Sequence, residues 1–119
     1  MPRARRKLDR IRQIHAWMVV KYPTPRPTVL RFVSERDADD CYGYVEPHKG
    51  KLRISILRTL PLMHMQWVVI HEFCHARTWG HQRVPRPEHS PEWGVSMAEI
   101  YRDFFDGEGW RESCNVTWK

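Results

Sequence analysis

The sequence is poor in cysteine and contains no long apolar run. Its three cysteines, Cys41, Cys74 and Cys114, lie far apart and form no CxxC pair. This pattern excludes a disulfide framework and a zinc ribbon of paired cysteines. No apolar stretch approaches the roughly 18 residues that cross a bilayer, and no apolar segment follows the N-terminal charges as in a signal peptide. We therefore expect a cytoplasmic protein without a membrane partner.

The residues that are present are typical of one folded domain. Hydrophobic residues make up 41% and charged residues 29% of the 119 residues, which favours a globular chain with one core, a single domain over 1–119. The formal net charge is +6, and residues 1–12 hold six bases against one acid. This basic N-terminal segment makes DNA a candidate partner through its phosphates, with a solvated helix face as the alternative.

The apolar periodicity predicts an α+β fold with a three-stranded antiparallel or mixed sheet. The expected elements are a helix over 8–22, a strand over 28–34, a loop over 35–40, a hairpin with strands at 42–46 and 52–58, a helix from Pro61 to about Trp79, and a helix opened by Ser90 and Pro91 and ended by Asp106 and Gly107. Residues 110–119 form either a short edge strand or coil.

The helix that begins near Pro61 carries the motif HExxH, as His71-Glu72-Phe73-Cys74-His75. Residues four apart lie on one helical face, so the imidazoles of His71 and His75 can bind a single zinc ion. Glu72 lies about 100° further around the helix, where its carboxylate can reach a water molecule on the metal as a general base. The motif predicts peptide hydrolysis by a zinc-activated water.

A third protein ligand is required, and His89 is favoured. It stands at the mouth of the last helix, where Ser90 can cap and Pro91 can begin the first turn. A capped helix start can hold the ring of His89 steady towards the central helix.

Other third ligands stay open on the residues alone. His81 follows His75 by six residues, which is the metzincin spacing, but Thr78 stands where that motif has glycine. Glu92 or Glu99 would supply a carboxylate from the last helix, although the surroundings usual for such a ligand are absent.

Several nearby side chains have a structural interpretation. Trp67, Trp79 and Trp93 fall on apolar helix faces and are predicted to lie in the core. Cys74 faces away from the two motif histidines and is predicted to be a small buried hydrophobe. His64 lies too far up the helix to share the metal of the motif histidines. The available donors to an oxyanion are Tyr101, Arg77 and Arg86.

These motifs resemble the SprT-like metallopeptidase domain, over roughly residues 40–105. The family pattern HExCHA matches residues 71–76, and its pattern HGPxF matches residues 89–93, with Ser90 for glycine and Trp93 for phenylalanine. Gly43, Tyr44 and the hairpin that leads to residues 54–57 also match. Ser90 follows His89, and a serine after the third histidine of the pattern is often found in the related WLM and YgjP-like groups. The paired C-terminal cysteines of larger relatives are absent.

The resemblance implies a minimal zincin-like fold with an N-terminal helix, a small three-stranded sheet, a central HExxH helix and a C-terminal helix. It implies Zn2+ as the cofactor, with His71, His75 and His89 as its ligands and Glu72 as the catalytic base. Characterised members cleave proteins that are trapped on DNA, so a protein substrate, in association with DNA, is expected.

Three other functions use the same residues. Zinc held by His71, His75 and His81 would match the spacing of YbeY-like endoribonucleases, although Glu72 stands where that family has glycine. A DNA-binding module without activity would hold a structural zinc in a closed site of four ligands. A zincin that has lost catalysis would serve as an adaptor.

Overall fold

The computed structural model describes residues 3–80 and 89–107, which form a small α+β fold of four helices and three strands. In chain order the elements are α1 (Arg3–Lys21), β1 (Thr28–Val33), α2 (Glu35–Ala38), β2 (Gly43–His48), β3 (Lys51–Leu57), α3 (Leu62–Arg77) and α4 (Pro91–Asp106). The predicted α+β class and the order of the elements are confirmed. The expected strand or coil at 110–119 lies outside the described residues.

The three strands form one mixed sheet in the order β1-β3-β2. Strands β2 and β3 are an antiparallel hairpin in which His48 pairs with Lys51. The two turn residues, Lys49 and Gly50, have φ of 52° and 79°. Positive φ at both positions gives a tight turn whose twist matches that of the strands, and glycine adopts it without strain. Strand β1 pairs with β3 in parallel, which makes β3 the central strand.

The hydrophobic core lies between one face of the sheet and the helices. In β3, the side chains of Leu52, Ile54 and Ile56 are fully buried. The helices contribute the other large, fully buried side chains, which are Ile11 and Met18 from α1, Met65, Val68, Val69, Ile70 and Phe73 from α3, and Ile100 and Phe104 from α4. Because α3 contacts α1, α4, β2 and β3, it is the central helix that its apolar sequence predicts.

The basic N-terminal segment belongs to α1, which begins at Arg3 rather than at residue 8. The ammonium group of Lys7 donates hydrogen bonds to the carbonyl oxygens of Arg58 and Leu60, at 3.0 and 2.8 Å. These bonds tie α1 to the chain that follows β3. Arg6 remains exposed, so one base of this segment bonds to the fold while another faces the solvent.

The polar segment after β1 contains one helical turn, α2, where the sequence predicts a loop. The carbonyl oxygen of Ser34 accepts hydrogen bonds from the N–H groups of Asp37 and Ala38, both at 3.0 Å. Glu35 and Asp37 lie in this first turn, where acidic side chains favour a helix. The turn ends at Asp39, which has φ 53°. The loop prediction was wrong because polar composition does not reveal these local hydrogen bonds.

Candidate metal centre

Two histidines of α3 and one that precedes α4 meet at the surface of the core. His71 and His75 lie one turn apart on α3, and His89 comes two residues before α4. One ring nitrogen from each lies within 4.8 Å of those of the other two, and the Nε2 atoms of His71 and His89 are 3.3 Å apart. The structure thus brings together the three residues that the sequence favours, in a group that could bind a metal ion.

The start of α4 sets the position of His89. The side chain of Ser90 accepts a hydrogen bond from the backbone N–H of Trp93 at 3.2 Å, and Pro91 occupies the first helical position. This N-cap satisfies a backbone donor of the first turn. His89 is exposed while Ser90 is buried, so the cap anchors the chain directly beside the ligand candidate.

Trp93 contacts all three histidine rings. Its ring centroid lies 4.9 Å from His71, 5.5 Å from His75 and 4.5 Å from His89. The indole N–H also donates to the backbone carbonyl of His71 at 3.4 Å. Trp93 packs against the core as predicted, and it has a second role that periodicity alone does not reveal. Its position four residues after His89 is the signal that could have indicated that role.

The orientation of His71 depends on aromatic packing. Its Nδ1 atom is buried and, among the residues that the structure describes, has no hydrogen-bond partner. The ring contacts Trp67 at 4.8 Å and Trp93 at 4.9 Å. Trp67 is 43% exposed, so its predicted place in the core is wrong. The apolar residues of α3 surround the helix on most sides, and their pattern therefore does not reveal which of them reaches the surface.

The histidines are electrostatically suited to bind a cation. Burial, followed by electrostatic repulsion from His89, lowers the pKa of His71 to about 4. Burial, followed by electrostatic repulsion from the other two rings, lowers the pKa of His75 to about 4. Both imidazoles are therefore neutral at pH 7 and can offer the lone pair that a metal ion requires.

Glu72 lies beside this cluster and is almost fully buried. Its side chain is 10% exposed, and its Oε2 atom is 3.9 Å from Nε2 of His71. Burial raises the pKa of Glu72 to about 7. Gly43 makes room for the side chains of Glu72 and Val68, because a Cβ atom there would lie 3.1 Å from Glu72 Cγ and 2.8 Å from Val68 Cγ1. A carboxyl group in this place can accept and release a proton near neutral pH.

The two carboxylate candidates for the third ligand do not join the cluster. Among the described residues, the only group of metal-ligating side chains is the three histidines, and Glu92 and Glu99 are not part of it. Glu99 instead accepts a 2.6 Å charged hydrogen bond from Arg77. His81 lies outside the described residues.

The remaining side chains considered near the motif are also accounted for. Arg77 is engaged by Glu99, and Tyr101 stacks on Phe105 at 5.1 Å; Arg86 lies outside the described residues. Cys74 is fully buried as predicted, and its thiol contacts the sulfur of Met97 at 3.6 Å.

Comparisons of the chain with known proteins add no relative to this description. No protein-family model, curated protein or solved structure matches it. None of the described helices combines the length and the apolar character needed to span a membrane. The candidate centre therefore rests on the geometry of the chain itself.

Proposed function

We propose that this chain is a zinc-dependent metallopeptidase of the SprT-like, zincin type, which hydrolyses peptide bonds in protein substrates. The observation that carries the proposal is the meeting of His71, His75 and His89 next to the buried carboxyl group of Glu72. Ligand geometry, protonation and the position of the base each support it.

The donor set fits zinc. Imidazole nitrogens bind zinc at about 2.0–2.1 Å, and two nitrogens at that distance on a tetrahedral ion lie about 3.3 Å apart. The Nε2 atoms of His71 and His89 have this spacing, 3.3 Å. Three histidines leave one tetrahedral position for water or substrate, which is typical of catalytic zinc sites. Zinc bound there supplies a Lewis acid that activates water and polarises the scissile carbonyl.

Glu72 carries the proton in this reaction. Its carboxylate takes a proton from water as the water oxygen forms a bond to the carbonyl carbon. The protonated Glu72 then delivers that proton to the amide nitrogen as the C–N bond breaks, which gives a product carboxylic acid and an amine. The product acid passes its remaining proton to the amine, so a carboxylate and an ammonium group result. Burial raises the pKa of Glu72 in the metal-free chain, which makes its carboxylate a stronger base than an exposed one.

The number of ligands among the described residues favours a catalytic zinc over a purely structural one. A structural zinc site is closed by four protein ligands, whereas the described residues supply three at this point. The endoribonuclease-like alternative requires His81 in place of His89. A His81→Ala variant that keeps zinc and peptidase activity would exclude that alternative.

The substitution Glu72→Gln tests the proposal. Purified full-length protein is loaded with zinc, and cleavage of an unfolded protein substrate is followed by gel electrophoresis and mass spectrometry. We expect one zinc per chain in the wild type and in the variant. We expect a loss of activity of at least about 100-fold in the variant, as for removal of a general base.

The matched control is Glu35→Gln, an equivalent change at an exposed position on α2, which should leave activity unchanged. Equal cleavage by wild type and Glu72→Gln, or a wild type that binds no zinc, would refute the proposed function.

A further inference from the structure

An exposed apolar surface borders the histidine cluster on the side where α3 begins. Tyr42, Met63 and Trp67 are 58%, 53% and 43% exposed, and the ring of His64 packs against Tyr42 at 4.7 Å. We call these four residues the apolar ledge. Large apolar side chains that remain together at the surface are typical of binding sites.

The apolar ledge is continuous with the histidine cluster. Met63 and His64 lie four and three residues before Trp67, and Trp67 lies four before His71, so these side chains are neighbours along α3. The indole of Trp67 meets the His71 ring at 4.8 Å. Tyr42 completes the surface from the residue before β2. A polymer bound at the histidines and extended towards the start of α3 would therefore lie on the ledge.

The charge beside the ledge favours a peptide over a nucleic acid. Asp39 and Asp40, which shortly precede Tyr42, are exposed, and both have positive φ, 53° and 62°. Asp39 also ends α2. Exposed carboxylates two and three residues before Tyr42 would repel a phosphate backbone and are compatible with a neutral or basic peptide.

We propose that the apolar ledge is a substrate subsite that binds a large apolar side chain, aromatic or long aliphatic, of an extended peptide whose scissile bond lies at the histidine cluster. The inference rests on the proposed function and specifies its substrate class. Trp67 and Tyr42 would provide flat aromatic contact area, and Met63 a flexible thioether that adapts to different side chains.

Cleavage-site profiling tests the subsite. Zinc-loaded full-length wild type, Trp67→Ala and Phe105→Ala digest a mixture of synthetic decapeptides of random sequence, and mass spectrometry identifies the cleaved bonds. For the wild type we expect about tenfold enrichment of Phe, Tyr, Trp, Leu and Met at one fixed position near the cleaved bond. Trp67→Ala should abolish this enrichment. Phe105 is 41% exposed and does not border the histidines, so Phe105→Ala is the matched control that should retain it.

A binding measurement separates the subsite from the chemistry. Zinc-loaded Glu72→Gln is titrated with two labelled decapeptides that differ only by Phe or Ala at one position, with fluorescence anisotropy as the readout. We expect about tenfold tighter binding of the Phe peptide, and equal binding once Trp67→Ala is added. Zinc content is measured for each variant. Tyr42→Ala repeats the test away from α3 in case Trp67→Ala disturbs His71.

The outcomes distinguish the two proposals. Cleavage without apolar enrichment, or enrichment that survives both ledge variants, overturns the subsite and leaves the peptidase intact. A wild type that cleaves nothing but shows Trp67-dependent preference for the Phe peptide overturns the hydrolysis and supports the ledge as a peptide-binding surface. Trp67-dependent binding of a single-stranded DNA oligonucleotide, with no preference between the peptides, overturns the peptide assignment.

Discussion

Removal of the negative charge at Glu72 is expected to stabilise the metal-free protein, and the gain should depend on pH. The substitution Glu72→Gln keeps the shape of the side chain and removes its ionisation. In the wild type Glu72 is 8% exposed, and no hydrogen bond to its carboxylate is present among the described residues. Ionisation in this place is therefore opposed by burial, which is the cause of the raised pKa.

The magnitude follows from the difference in pKa between the folded and unfolded chains. The pKa of Glu72 rises from its ordinary value of 4.5 to about 7 on folding, which corresponds to about 3 kcal/mol. Below pH 4.5 both states are protonated and there is no penalty. Between pH 4.5 and about 7 the unfolded chain ionises first, so wild-type stability falls as the pH rises. Above pH 7 the full penalty applies.

Urea unfolding in the presence of a chelator measures this difference. We expect Glu72→Gln to raise the free energy of unfolding by about 3 kcal/mol at pH 8 and by less than about 1 kcal/mol at pH 5. His71 and His75 have lowered pKa values and destabilise the fold as the pH falls, but they are present in both proteins and their effect cancels. Glu35→Gln should show neither gain. Equal stability of wild type and Glu72→Gln at pH 8 would refute the claim that the buried carboxylate is destabilising.

Three further predictions concern the ligand, the approach of β2 to α3, and the basic segment. His89→Ala should lower zinc affinity by more than the roughly 10–100-fold typical of losing a residue that supports a ligand, as measured by competition with a chromophoric chelator. Glu99→Gln breaks an ion pair with Arg77 outside the cluster and should leave zinc affinity unchanged. Gly43→Ala should destabilise the fold by about 1–3 kcal/mol, since the new Cβ would lie 2.8 Å from Val68 Cγ1. Gly94→Ala places a Cβ with nothing within 4 Å and should stabilise α4 by about 0.5–1 kcal/mol. Equal urea midpoints for the two variants would contradict this reasoning. Binding of duplex DNA through the N-terminal segment predicts that Arg5→Ser combined with Arg6→Ser reduces the slope of log affinity against log salt by about 2; an unchanged slope would remove these two residues from any DNA contact.

Much of the scaffold could be predicted from the sequence because local signals marked its boundaries. Pro23 follows the last residues of α1, the pair Lys49-Gly50 forms the hairpin turn, and Ser90 with Pro91 opens α4. The pairing of His71 with His75 is a direct consequence of helical geometry. The parallel pairing of β1 with β3 depends on contacts between distant parts of the chain, so strand patterns left the sheet open between antiparallel and mixed.

The candidate site was predictable in its composition and less so in its surroundings. His71, His75 and Glu72 could be selected from the spacing of the motif, and His89 was favoured by its place at the capped start of α4. The exposure of Trp67 could not be predicted, because α3 is apolar on most of its sides and periodicity does not reveal which residue reaches the surface. The contact of Trp93 with three rings is a tertiary arrangement in which α4 packs on α3, and the sequence of α4 alone indicates only an apolar face.

The N-cap at Ser90 and the packing of Trp93 also determine when the candidate metal centre forms during folding. The ring nitrogens of His71 and His75 are in place once α3 has formed, whereas that of His89 joins them only when α4 packs against α3. A partly folded chain in which α3 has formed would thus offer zinc two ligands, and the native chain would offer three. The ion would bind the finished structure more tightly than its precursors, so loading and the last step of folding would reinforce each other.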